Sequence, residues 1–92
     1  MQIRTLIVTN ISGVHAHSSS LIVKTASKFE SSITLTNCSK DNKPRNAKSI
    51  MEVLKLVAEQ KNILELRADG IDEILVANAI ENLFKINFEE CY

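Results

Sequence analysis

The sequence is poor in the residues that mark several protein classes. Among its 92 residues it has no tryptophan, one proline, two glycines and two cysteines, and 4% of the residues are aromatic. Two cysteines without a C-x-x-C pair do not build a disulfide scaffold or a zinc cluster, so Cys38 and Cys91 are predicted to be free thiols. The 11 basic residues balance 11 acidic ones, which argues against a nucleic-acid or anionic-membrane partner. Apolar runs such as Leu6–Val8 are far shorter than the roughly 20 residues that cross a bilayer.

What is present is the composition of a folded domain, with 45% hydrophobic and 24% charged residues. The length fits a single domain over residues 1–92. The first ten residues lack a basic region, a long apolar core and a small-residue cleavage site, so no signal peptide is expected and a cytoplasmic location is predicted.

Alternation of apolar and polar residues predicts three strands, and a polar segment is expected to hold a turn and a short fourth strand. The three alternating segments are Gln2–Thr9, Ile33–Thr36 and Ile63–Ala68, and the polar segment, with the lone proline, is Asn37–Asn46. Turn-forming residues follow the first strand at Asn10–Gly13 and the last one at Asp69–Gly70.

Helical spacing of apolar residues predicts three helices. The first begins at Ser18, where three serines offer caps, and places Leu21, Ile22, Ala26 and Phe29 on one face. The second begins after Ser49, with Glu52 completing a capping-box pattern, and buries Val53 and Val57. The third begins at Asp72, with a stripe made of Val76, Ala79, Ile80, Leu83 and Phe84. The order predicts an α+β fold, an open-faced β-sandwich in which three helices cover one face of a four-stranded antiparallel sheet (βαββαβα).

His15 is the first candidate for chemistry. It lies after Gly13 and directly before the serine-rich helix start. A helix N-terminus presents unpaired amides and a partial positive charge, so it holds anions such as phosphate and favours a neutral imidazole. A neutral imidazole beside such amides is suited to reversible phosphorylation of a ring nitrogen. The alternative is an ordinary surface histidine.

Several motifs in register resemble the HPr family, the histidine phosphocarriers of the bacterial sugar phosphotransferase system. They are Gly13-Val14-His15-Ala16, Lys24–Phe29, Ala47–Val53 and Ala68–Glu73, and together they span nearly the whole chain. The resemblance implies that His15 takes a phosphoryl group from phosphoenolpyruvate-dependent Enzyme I and passes it to the IIA components of sugar permeases. Such a protein is a covalent relay, usually monomeric, without a cofactor, and not a stand-alone catalyst. It meets membrane permeases only through IIA.

The chain departs from the family pattern directly after this histidine. Where the family usually has arginine and then proline, this chain has His17 and Ser18. Arginine is a permanently charged, forked phosphate donor, whereas the charge of histidine depends on pH. We expect His17, Ser18 and the local amides to stabilise the phosphate. A metal site at His15 and His17 is not predicted, because two ligands are too few.

The resemblance also assigns functions to the second predicted helix. Ser49 is a helix cap from its position, and in the Gram-positive form of the family the matching serine is phosphorylated by HPr kinase/phosphorylase. A phosphate there would add about 1.5–2 negative charges. Ile50, Met51 and Leu54 form an apolar stripe that a one-sided helix cannot bury completely, and in the family this stripe docks the partners.

Two alternatives remain open from the sequence. One is an HPr-like regulatory module with weakened transfer at His15, which acts through phosphorylation of Ser49 and binds a transcriptional regulator. The other is an unrelated α+β binding module in which His15 is incidental.

Overall fold

A computed structural model describes residues 1–9, 13–86 and 88. Its elements follow the predicted order of strands and helices. They are β1 (Gln2–Ile7), α1 (Ala16–Ala26), β2 (Ser32–Asn37), β3 (Pro44–Asn46), α2 (Ile50–Leu54), β4 (Ile63–Asp69) and α3 (Glu73–Lys85). The predicted turn at residues 10–12 and the second cysteine, Cys91, lie outside the described residues, whereas Cys38 is exposed and free.

The four strands form one antiparallel sheet in the order β1-β4-β2-β3. Period-two alternation decides which face is covered: Leu6 pairs with Leu64 and Leu35 with Leu66, and all four are buried. The open face carries exposed neighbours of these leucines, such as Ile7, Ile63 and Arg67. The helices pack over the buried face, so the open-faced β-sandwich is confirmed.

The first helix begins two residues earlier than predicted, at Ala16, and the prediction that the serines cap it is wrong. His15 is the N-cap residue, and its side chain makes no capping hydrogen bond. Ser18 and Ser19 are instead buried within the helix, because a serine side chain is small enough to fit a close helix contact. Phe29 is half-buried in the turn that follows the helix, rather than on its apolar face.

The second helix is shorter than predicted. It ends at Leu54, so the prediction that Val57 belongs to the core is wrong: Val57 is 57% exposed and has a φ of 48°. The predicted Ser49 cap is confirmed, since its hydroxyl oxygen accepts a hydrogen bond from the Glu52 amide at 3.4 Å. The Glu52 carboxylate pairs with Lys55 and does not reach back to Ser49, so only half of the capping box forms.

The start of α3 is tied to the α1–β2 turn through Asp72. Its carboxylate accepts hydrogen bonds from the amides of Glu30, at 2.9 Å, and Ser31, at 3.0 Å, and from the Ser31 hydroxyl. These bonds, the hydroxyl first, hold the pKa of Asp72 below its usual value. The predicted apolar stripe of α3 is buried except at Ala79, which is half-buried. Among the described residues, no helix is long and apolar enough to cross a membrane.

Candidate functional site

His15 lies at the junction between an extended segment and a helix. It is the N-cap residue of α1, with a φ of −125° and a ψ of −165°, and it is exposed. Its carbonyl oxygen accepts the first helical hydrogen bond, from the Ser19 amide at 2.8 Å. The backbone thus enters the helix at His15 and leaves its imidazole accessible to a partner.

The start of α1 presents three amides that find no acceptor within residues 1–9, 13–86 and 88. Among the residues that the structure describes, the amides of Ala16, His17 and Ser18 have no hydrogen-bond acceptor. The helix is 11 residues long and has no acidic residue in its first turn to neutralise its dipole. An anion attached to His15 would therefore meet unpaired N–H groups and a partial positive charge.

The segment before His15 is pinned by the loop that follows α2. Val14 is buried, and its amide donates to the Ala58 carbonyl at 2.9 Å. Gly13 has a φ of 67°, and a Cβ built there would overlap the same carbonyl oxygen and approach the Glu59 Cα to 3.1 Å. Glycine is required here for its conformation and for its size. Close backbone packing of two loops therefore fixes the position of the chain just before His15.

The two residues predicted to help His15 differ in accessibility. His17, the second helical residue, is exposed. Ser18 is only 2% exposed. Because Ser18 is almost wholly buried, a contact with a bound phosphate would come from its backbone N–H, which has no acceptor among the described residues.

The predicted docking residues lie on α2, which packs against α1. Met51 is 68% exposed, Ile50 44% and Leu54 37%, while Val53 between them is buried. Val57 adds a fourth exposed apolar side chain just after the helix. We call Ile50, Met51, Leu54 and Val57 the α2 patch. Ser49 is half-buried at the start of the same helix.

Sequence reasoning missed the loop that supports the site. The buried side chain of Asn37 donates to the Leu56 carbonyl at 3.0 Å and to the Asn62 side chain at 3.2 Å. The Asn62 side-chain oxygen also accepts from the Glu59 amide at 2.9 Å. These bonds hold the loop whose Ala58 carbonyl receives Val14. The signal available in the sequence was two asparagines beside strands, which is also typical of ordinary turns.

Two carboxylates near the site are paired with lysines. Glu52 binds Lys55 at 3.2 Å, and Glu59 binds Lys40. Within the described part of the chain, no group of three or more His, Cys, Asp or Glu side chains could hold a metal ion. The arrangement can therefore offer a phosphate the amides of α1 and the imidazole of His17.

The chain is similar to known proteins in both sequence and fold. A family model described as "PTS HPr component phosphorylation site" matches residues 3–85. The phosphocarrier protein HPr of Treponema pallidum is 44% identical over 90 residues, covering 98% of this chain and 99% of that protein. A crystal structure of HPr from Thermoanaerobacter tengcongensis, 40% identical, superposes with a TM-score of 0.89 and full coverage of both chains. A multiphosphoryl transfer protein of Escherichia coli O157:H7 is 35% identical over 80% of this chain, which corresponds to 20% of that longer protein.

Proposed function

The chain belongs to the HPr family of the phosphotransferase system, and on this premise we propose that His15 is the residue that carries the phosphoryl group. The protein is a phosphoryl relay, and an unrelated binding module is thereby excluded. One observation supports the assignment to His15 above all. This exposed histidine is the N-cap residue of a helix whose first three amides have no acceptor among the described residues.

The chemistry assigned to His15 is a reversible substitution at phosphorus. The lone pair of a ring nitrogen attacks, a P–N bond forms, and the bond from phosphorus to the donor atom breaks, leaving its electron pair on that atom. Transfer to the next protein is the same substitution, with His15 as the leaving group. The amides of Ala16, His17 and Ser18, together with the His17 imidazole, stabilise the phosphoryl oxygens.

We assign Enzyme I as the donor and the IIA components of sugar permeases as acceptors, in the cytoplasm. The α2 patch supports this, because it places exposed apolar side chains on a helix packed against α1. A small apolar surface beside the reacting group suits brief encounters with several partners, which need only modest buried areas. No cofactor is required for the relay.

Labelling tests the acceptor residue. The protein is incubated with Enzyme I and labelled phosphoenolpyruvate, and acid-labile label is counted in the wild type, His15→Ala and His17→Ala. We expect the label to disappear in His15→Ala and to persist in His17→Ala, the matched control two residues away. Label that persists in His15→Ala would refute the assignment.

Steady-state kinetics test the α2 patch. Met51→Lys should raise the KM for transfer from Enzyme I by about tenfold, because it places a charge in an apolar contact. Ile71→Lys is the matched control, because Ile71 is 90% exposed. It follows the C-terminal end of β4, whereas the loop that packs on Gly13 comes before the N-terminal end of that strand. Equal effects of the two substitutions would contradict docking through the α2 patch.

We further propose that Ser49 is a regulatory phosphorylation site for an HPr kinase/phosphorylase, and that the phosphorylated form binds a transcriptional regulator. Its hydroxyl is at the start of α2, next to Ile50 and Met51, so a phosphate there changes the charge of the α2 patch. With kinase and ATP, acid-stable label should appear in the wild type and in the exposed-serine control Ser20→Ala. Label that survives Ser49→Ala would contradict this site.

A further inference from the structure

We propose that the charge of His17 makes the relay pH-dependent, so that the protonated His17 ring holds the phosphoryl group on His15 more strongly than the neutral ring does. This inference rests on the proposed function of His15. It adds a form of control to that function, namely sensitivity to proton concentration near neutral pH.

The position of His17 carries the inference. It is the second residue of α1, exposed, and two residues from the N-cap His15. Side chains of an α-helix lean toward its N-terminus, so the His17 ring leans toward the end where the free amides point. An exposed imidazole in this place can approach a phosphoryl group on His15 without any rearrangement of the backbone.

The other charged groups around α1 are distant from its start, paired, or lysines. On α1 itself the first turn has no acidic residue, and Lys24 lies in the last turn, at the far end of the helix. On α2 and the loop after it, Glu52 pairs with Lys55 and Glu59 with Lys40. Lys61, at the end of that loop, is exposed and has no ion pair among the described residues.

The charges of α3 do not change this conclusion. Glu73 binds the N-terminal amine at 2.8 Å, and Glu81 binds Arg4 at 2.9 Å. Lys85, at the end of α3, has no ion pair within the described part of the chain. Lysine and carboxylate side chains ordinarily keep their charges between about pH 5 and pH 8, whereas imidazole changes its charge there. A pH dependence in this range therefore points to groups such as the imidazoles, and the ratio of rates described below separates His17 from His15.

The size of the effect follows from Coulomb's law. A phosphoryl group carries close to two negative charges at neutral pH. If the two groups come within about 6 Å of each other in water, screened by salt, one imidazolium strengthens the binding of that group by about three- to tenfold. By linkage, the His17 ring must stay protonated to higher pH when His15 is phosphorylated.

A ratio of rates isolates this effect. The kcat/KM for phosphorylation by Enzyme I is measured between about pH 6 and pH 8.5, a range that spans imidazole titration, for the wild type and for His17→Arg, which is always charged. Dividing the kcat/KM of the wild type by that of His17→Arg removes the pH dependence that the two proteins share, which is that of Enzyme I and of His15. We expect a ratio near one at the acid end, falling about three- to tenfold at the alkaline end. The same ratio for His17→Gln, taken against His17→Arg, should equal the alkaline wild-type ratio at every pH.

Each outcome decides a different claim. A ratio that stays constant with pH, while both proteins are labelled on His15, overturns the role of His17 and leaves the relay intact. Absence of label on His15 in both proteins overturns the proposed function and this inference with it. NMR titration of the His17 ring gives a second readout, because phosphorylation of His15 should move its midpoint to higher pH. An unchanged midpoint also overturns the inference.

Discussion

Substitutions of Val57 test whether the loop that supports His15 contains backbone strain. It has a φ of 48°, in the left-handed region, where a β-branched residue is a conformational outlier. At ordinary backbone angles, glycine is less stable than alanine by roughly 0.5–1 kcal/mol, because it loses more conformational freedom on folding. In the left-handed region a Cβ costs roughly 1–2 kcal/mol, so the order should reverse.

The comparison of Val57→Gly with Val57→Ala removes the other contributions. Both variants lose the same γ-methyl groups of a side chain that is 57% exposed, so the loss of buried surface nearly cancels between them. Subtracting the central entropic cost of glycine from the central cost of the Cβ leaves Val57→Gly more stable than Val57→Ala by about 0.75 kcal/mol, within a span of about 0–1.5 kcal/mol.

Urea unfolding followed by circular dichroism measures this difference, since a single domain of this size is expected to unfold in one transition. Lys55 supplies the control: it is exposed two residues earlier, with a φ of −68°, and there the alanine variant should be the more stable. If glycine is also the weaker substitution at Val57, the left-handed strain argued for this loop is refuted.

Three further substitutions test the packing around the site. Ser19→Ala should stabilise the protein by about 1 kcal/mol, because the buried Ser19 hydroxyl has no partner among the described residues; a lower urea midpoint would contradict this. Gly13→Ala should cost about 2 kcal/mol or more, since its Cβ overlaps the Ala58 carbonyl at a positive φ, and a thermal melt unchanged from wild type would refute the contact. Asp72→Asn should lower the melting temperature at pH 7. The pKa of Asp72 lies below 3.8, so the carboxylate stabilises the fold above about pH 4 and loses this effect as pH falls. The melting temperatures of the wild type and Asp72→Asn should therefore converge as the pH falls. A difference between them that does not change with pH would contradict the stabilising role of the Asp72 carboxylate.

Strand periodicity could be predicted from the sequence, because one face of each strand must be buried. The helix ends could not. Apolar spacing from Ile50 continues to Val57, yet the chain leaves the helix after Leu54, and a left-handed residue closes the loop. At α1 the serines looked like caps, but Ser18 and Ser19 are buried by tertiary packing that no local pattern reports.

The candidate site was predictable in a similar, partial way. His15 and the helix after it could be read from a short motif, because a histidine, a glycine and a helix start lie next to each other in the chain. The support for His15 lies about 40 residues further along, where the Ala58 carbonyl accepts from Val14 and buried Asn37 holds the same loop. Polar residues such as Asn37 are normally interpreted as turn formers, and burial becomes apparent only when the strands are paired.

Substitutions in the two loops around His15 should affect protein stability and the rate of phosphoryl transfer differently. Gly13→Ala acts on the segment that holds His15, so it should lower both the stability and the rate of phosphorylation. Val57→Gly relieves strain one residue before the Ala58 carbonyl, but like Val57→Ala it also removes a side chain of the α2 patch. If the Ala58 carbonyl keeps its bond to Val14, these two variants should be phosphorylated at equal rates. A Val57→Gly protein that is slower than Val57→Ala, although it is the more stable of the two, would show that the left-handed residue itself aims the Ala58 carbonyl. The strain at Val57 would then be part of the site, because a residue held in an unfavourable conformation persists only where the surrounding structure fixes it.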